Sequence, residues 1–313
     1  MKIMVPDTIV LGPEHINRLE SIGTLHIYNN TEKSDQELIN LLNDADILIM
    51  GMIEFRPDVF KSLKNLKMLS LWTTGYDYVD IDIAKKHNIL LTNVPGYSAV
   101  AVAEHVFAML FSLLRKIPAA DGHVKMGFYD RTNFLGSELA GKTMGVIGAG
   151  SIGKRVAQIA KSLEMNVIVN TANPSKERAE KYGFNFLSFE EVLMQSDFIS
   201  LHIPLKPDTE NMVSYHEFNI MKNSAIVINT ARGKIIDEDA LVDALNSGKI
   251  AGACIDVLSE DKVKEDNSLL NFNNVILSPH CAFYTKEAIK KLSDIAIDNI
   301  VGFINGNPQN VIF

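Results

Sequence analysis

The sequence Gly148-Ala149-Gly150-Ser151-Ile152-Gly153 constrains this chain more than any other stretch. It lies between the apolar run Thr143–Ile147 and a segment that places Ile152, Val156, Ile159, Ala160 and Leu163 on one helical face. Gly148 permits a tight turn, Gly150 lets backbone approach a pyrophosphate, and Gly153 lets helix close on strand. Ser151 and Ile152 then present helix N-terminal N–H groups to the phosphates. Three glycines at this spacing also recur in unrelated turns. The second apolar run, Asn166–Asn170, completes a βαβ unit and turns the pattern into a dinucleotide site.

A chain of 313 residues is long for one domain, and two are expected. The net charge of −8 argues against nucleic acid, whose phosphates call for clustered Lys and Arg. Cys254 and Cys281 are the only cysteines, which suits a reducing compartment better than a disulfide framework. Pro6 and Asp7 break Met1–Val10, so it is no signal h-region. Ala99–Leu114 is the longest apolar stretch, but it contains Glu104 and His105 and is too short to cross a membrane. The expectation is a cytoplasmic protein with no membrane partner.

Residues 1–97 alternate short apolar runs with helical patterns. Strands are expected at Ile3–Val5, Leu25–Tyr28, Ile47–Met50, Met68–Leu71 and Leu90–Asn93, and Ser34–Glu37 reads as a capping box. Alternating β and α implies a parallel sheet covered on both faces. Ala99–Leu114, apolar nearly all round, reads as a fully buried helix, and Glu104 and His105 as structural. Arg115–Gly141 shows no clear period and suggests an interdomain cover or a subunit contact. After the glycine turn, Asn166–Asn170, Phe198–Leu201, Ala225–Asn229, Ala251–Ile255 and Val275–Leu277 join Thr143–Ile147 to give six strands. A second box is expected at Ser188–Glu191, a helix near Asp237, and a last helix over Thr285–Asn305 that returns to cap the first domain.

In an open parallel sheet the ligand crevice lies beyond the carboxyl ends of the strands. Those ends carry Gly148; Asn170 and Thr171; His202-Ile203-Pro204; Asn229-Thr230-Ala231-Arg232-Gly233; Asp256; and Pro279-His280. Arg232 keeps its charge, and its planar fork matches a carboxylate. His280 can move a proton near neutral pH. A carboxylate beside it, from Glu260 or Asp261, holds the ring and favours the acid form. With a nicotinamide supplying hydride, these types imply interconversion of a 2-keto acid and a 2-hydroxy acid. His202 is assigned structural or cofactor duty. No His or Cys pair has metal spacing, so no metal is proposed.

Five blocks in this order give the chain a resemblance to the D-isomer-specific 2-hydroxyacid dehydrogenases over nearly its whole length. They are Gly148–Gly153, His202-Ile203-Pro204 with Thr209, Asn229–Gly233, Asp256-Val257-Leu258 and Ser278-Pro279-His280. The resemblance implies Arg232 as the catalytic arginine clamping the substrate carboxylate or carbonyl, and His280 as the acid/base. It puts Asp256 against the nicotinamide carboxamide, Thr230 and Ala231 beside the cofactor, and the Thr74–Gly75 backbone against the substrate carboxylate. It also implies two doubly wound α/β domains: a Rossmann cofactor domain, 98–284, inserted into a flavodoxin-like substrate domain, 1–97 with 285–313. A homodimer formed through the cofactor domain would account for Arg115–Gly141.

The chain departs from the family pattern twice. Asp256-Val257-Leu258-Ser259-Glu260-Asp261-Lys262 replaces the usual Asp-Val-x-x-x-Glu-Pro, so the partner of His280 is Asp261 by count, or Glu260 if the loop slips by one residue. Asn170 and Thr171 are neutral where NAD-specific relatives carry an acid, and Lys176 and Arg178 follow, which points to NADP(H) as well as NAD(H). The ending Asn307–Val311 and the Asp256–Ser259 run look like hydroxypyruvate or glyoxylate reductases and glycerate dehydrogenases. Trp72, Tyr76, Phe283 and Tyr284 suit a larger branched or aromatic 2-keto acid instead. A dinucleotide-sensing corepressor is the alternative of another class. A formate enzyme is disfavoured by the acids at 260–261, where such enzymes carry an amide.

Overall fold

Apolar residues fill whole strands here rather than alternate positions, the mark of sheets covered on both faces. The computed structural model describes every residue except 29–33, 52, 54, 55 and 261–263. The chain forms two units, Met1–Ser98 with Tyr284–Phe313, and Ala99–Phe283.

The first unit holds β1 (Lys2–Val5), β2 (Thr24–Ile27), β3 (Ile47–Met50), β4 (Met68–Leu71) and β5 (Leu90–Thr92), in the order β2-β1-β3-β4-β5. All pairings are parallel. Every residue of β3 and β4 is buried, whereas β2 at the edge is not. Ser34 caps Asp35–Leu42 with the expected reciprocal box, its N–H donating to Glu37 at 2.8 Å. The helix Lys286–Ile304 packs on β4. Trp72 Nε1 donates to Ser293 Oγ at 2.9 Å, and Ser70 Oγ to the Ala296 carbonyl at 3.1 Å. These bonds satisfy polar groups that no water reaches.

The second unit holds β6 (Thr143–Ile147), β7 (Asn166–Asn170), β8 (Asn185–Phe186), β9 (Phe198–Leu201), β10 (Ile226–Asn229), β11 (Gly252–Ile255) and β12 (Val275–Leu277). Their order is β12-β11-β10-β9-β6-β7-β8, again parallel. The sheet thus has seven strands where six were expected. The extra one, β8, is two residues long and too short to show any period. Alternate strand residues feed two cores, Ile199, Val227 and Ala253 on one face and Val146, Ile228 and Cys254 on the other. The strand order reverses between β6 and β9, the place where open sheets of this kind take their ligands.

Two further expectations change. Ala99–Leu114 is not buried all round: Val100, Glu104, Ala108 and Phe111 form an exposed stripe along it. The stretch 115–141 contains a helix, Ile117–Lys125, with no buried residue. Its apolar side chains face outward, so they have no inward-facing period to betray it. Among the described residues no helix is long and apolar enough to cross a membrane.

Candidate active site

The glycine turn has the geometry its sequence implies. Gly148 adopts φ +99°, and a Cβ there would lie 2.3 Å from the His202 carbonyl oxygen. A Cβ on Gly153 would lie 1.9 Å from the Gly148 carbonyl, so helix Ser151–Ser162 closes on the turn only without one. Gly150, the N-cap, faces open space, which leaves room for a phosphate at the helix end. Beyond β9, His202 Nε2 meets Ser200 Oγ at 2.8 Å while its Nδ1 is buried with no partner among the described residues. Burial pushes its pKa down to about 3, so this imidazole stays neutral. Thr230 Oγ1, just past β10, is also buried with no partner among the described residues. Two orphaned polar atoms along this rim fit a bound dinucleotide that completes their hydrogen bonds. Ile203 packs into the core beneath, and Thr209 Oγ1 ties the loop together by accepting from Lys206 N and donating to Pro204 O, both at 2.8 Å.

At the end of β7, Asn170 Nδ2 donates to the Leu187 carbonyl at 3.1 Å, and Thr171 follows without charge. Arg178 reaches back over this corner. It donates to the Asn173 carbonyl at 2.6 Å and to the Ala149 carbonyl of the glycine turn at 2.7 Å, with its guanidinium 5.9 Å from the centre of the Phe186 ring.

Arg232, Asp256 and His280 follow β10, β11 and β12, three neighbouring strands, and so occupy one rim. Asn229 shapes the Arg232 turn, donating to the Arg232 carbonyl at 2.9 Å and accepting from Ala231 N at 3.0 Å. Gly233 lets this turn lie against the next loop, for a Cβ there would fall 1.8 Å from the Leu258 carbonyl. The His280 ring meets Phe283 edge to face at 6.0 Å. The resemblance gives Asp256 to the nicotinamide, but it is only 2% exposed. Both its carboxylate oxygens accept from the loop that carries His280, at Ser278, Cys281 and Ala282.

The two candidate partners of His280 fare differently. Glu260 is paired with Lys264 at 2.9 Å, an exposed ion pair on the surface. Asp261 lies outside the described residues. Glu238 frames that loop, accepting from Ser259 Oγ at 2.6 Å and Asn267 Nδ2 at 2.7 Å. In the first unit, Thr74 Oγ1 donates to the Val94 carbonyl and Asn93 Nδ2 to the Thr74 carbonyl at 2.7 Å. The Thr74 and Gly75 N–H groups have no partner among the described residues.

Sequence reasoning set His105 aside as structural. The structure brings its Nε2 to Ser278 Oγ at 3.0 Å, a contact across 173 residues that no local pattern signals. His105, Asp256 and Cys281 place possible ligand atoms within 4.8 Å of one another. Asp256 already accepts three hydrogen bonds, and burial, then the Asp256 charge, raises the Cys281 thiol pKa. The trio is a hydrogen-bonded cluster rather than a cation cage.

Residues 107–282 match the family described as D-isomer specific 2-hydroxyacid dehydrogenase, NAD binding domain. A D-3-phosphoglycerate dehydrogenase from Archaeoglobus fulgidus is 38% identical over 98% of this chain, which spans only 58% of that protein's length. A hydroxypyruvate reductase from Blautia hydrogenotrophica is 36% identical over 100% of this chain and 99% of its own. Among solved structures, an acyclic imino acid reductase in complex with NADPH and D-Arg superposes with a TM-score of 0.92 at 37% identity, covering 100% of both chains.

Proposed function

Because the chain belongs to the D-isomer specific 2-hydroxyacid dehydrogenase family, we propose that it reduces a small 2-keto acid of the hydroxypyruvate or glyoxylate class to the D-2-hydroxy acid. The observation that carries the reading is the row of Arg232, Asp256 and His280 on three adjacent strand ends, in the same sheet as the glycine turn. A bound nicotinamide supplies the hydride. Arg232 holds the carboxylate and polarises the carbonyl with a charge it cannot lose. His280 delivers a proton to the carbonyl oxygen, and withdraws it in the reverse direction. In the first unit, Thr74 and Gly75 offer backbone N–H groups of the kind that receive a carboxylate. The third group, a carboxylate partner for His280, is assigned to Asp261 by its count along the sequence, with Glu260 engaged by Lys264. The enzyme is placed in the cytoplasm, where its two cysteines stay as free thiols.

The test is a panel of 2-keto acids assayed with wild type and His280→Ala. Loss of one acid/base group lowers kcat by roughly 10²–10⁴-fold. A rate for His280→Ala equal to wild type removes the imidazole from the chemistry. A second reading, reduction of the C=N bond of a 2-imino acid, is favoured by the likeness to the imino acid reductase. Turnover that requires added ammonium selects it.

The cofactor assigned is NADP(H) in preference to NAD(H). A neutral Thr171 does not repel a 2′-phosphate, and Arg178 holds a cation against the same corner. Arg178→Gln is expected to weaken NADPH binding about 10-fold, the worth of one charge-assisted hydrogen bond, and to leave NADH unchanged. Equal weakening of both, or a wild type that prefers NADH, rejects the assignment.

A further inference from the structure

We propose that His105 is a positioning residue for the loop that carries His280, acting through Ser278 and Asp256; the proposal rests on the acid/base assignment of His280. His280 has φ +51°, left-handed backbone that a residue with a side chain keeps only where its surroundings impose it. Asp256 imposes it. The His280 N–H donates to the Asp256 carbonyl at 2.8 Å, Cys281 N to Asp256 Oδ1 at 3.0 Å, and Ala282 N to Oδ2 at 3.0 Å. The residues on the carboxyl side of His280 hang from one buried carboxylate.

The remaining bonds have only one consistent direction. Asp256 faces N–H donors at both oxygens, so it is an acceptor throughout. Ser278 Oγ, 2.5 Å from Oδ1, therefore gives its single proton to the carboxylate, a stronger acceptor than the Met109 sulfur at 3.6 Å. Ser278 Oγ then has only lone pairs for His105 Nε2 at 3.0 Å, which makes His105 the donor. The chain of donors runs from His105 to Ser278 to Asp256. It fastens the start of the His280 loop to the long helix Ala99–Leu114, while the carboxylate fastens its end.

The test uses the full chain carrying His105→Leu, His105→Gln, Ser278→Ala, the double His105→Leu/Ser278→Ala, or His280→Ala. Each is measured for kcat, for dinucleotide Kd by nicotinamide fluorescence, and for deuterium exchange in the 278–283 segment. His105→Leu and Ser278→Ala should each lower kcat about 10-fold, within what small misplacements of a reacting group cost. Dinucleotide Kd should hold within about twofold, and the Cys281 and Ala282 amides should exchange faster. Glutamine carries an N–H near the place of Nε2 and should restore most of the rate. The double variant should be no worse than the worse single, because both act on one chain of bonds. Unchanged exchange or unchanged kcat in His105→Leu overturns the proposal. So does equal loss in the Leu and Gln variants, which points to packing alone. Wild-type turnover by His280→Ala sinks the acid/base assignment instead. An inactive His280→Ala beside a fully active His105→Leu sinks only the positioning role.

Discussion

His202 is an imidazole at a strand end that its surroundings keep from holding a charge. Burial holds the His202 pKa at about 3, against 6.5 for an ordinary histidine. Between those values the unfolded chain binds a proton that the folded chain does not, so stability falls as pH drops through that window. Replacing His202 with Gln should flatten the dependence of unfolding free energy on pH between about 4.5 and 6.5. Denaturant titrations at several pH values measure it, and a variant with the wild-type slope contradicts the burial argument. His202, Arg232 and His280 were visible in the sequence because each ends an apolar run. Asp256 was visible only in part: its position was plain, but its partners at 278, 281 and 282 depend on β11 lying beside β12. His105 was invisible because its contact joins segments far apart in the chain. The choice between Glu260 and Asp261 was open because one residue of slip in a loop leaves no trace in composition.

Each sheet starts its strands against an aspartate from a neighbouring connection. Asp46 accepts from Lys2 N at 2.8 Å and from Lys67 Nζ at 2.6 Å. Asp197 accepts from Thr143 N at 2.8 Å and from Lys222 Nζ at 2.9 Å. The Asp46 pKa is lowered, chiefly by Lys67. For Asp197 burial works upward but is outweighed by Thr143 and Lys222, so its pKa also falls below 3.8. A depressed carboxylate stabilises the fold above its unfolded pKa, and that stabilisation is lost as pH falls through the folded one. Asp197→Asn should therefore cost about 1–2 kcal/mol at pH 7, and the gap to wild type should narrow below pH ~3.8. A gap that stays constant on acidification would mean that packing, not charge, is responsible. Strands and capping boxes were legible because burial on both faces leaves uninterrupted apolar runs and caps follow a fixed spacing. The two-residue β8 and the helix Ile117–Lys125 were not, the first for want of length and the second because its apolar side chains point outward.

Those outward side chains matter for the molecule as a whole. Met126, Phe128, Tyr129 and Leu135 are 70%, 58%, 96% and 86% exposed, and the stripe through Val100 and Phe111 adds to them. So much apolar surface on one unit calls for a cover, and a second copy of the chain meeting it is the arrangement we propose. Tyr129→Asp with Leu135→Asp should shift sedimentation from dimer to monomer, and a wild type that sediments as a monomer refutes the arrangement. The first unit is built from two separated pieces of chain, Met1–Ser98 and Tyr284–Phe313, and the second is the continuous stretch between them in sequence. On the ribosome, the segment translated first must therefore wait for the last helix. The strands β1 to β5 emerge early, but the groups that accept from Trp72 and Ser70 arrive some 220 residues later, at least ten seconds at ordinary elongation rates of about 5–20 residues per second. The inserted unit can finish folding in that interval, while Trp72 and Ser70 still lack the groups that accept from them.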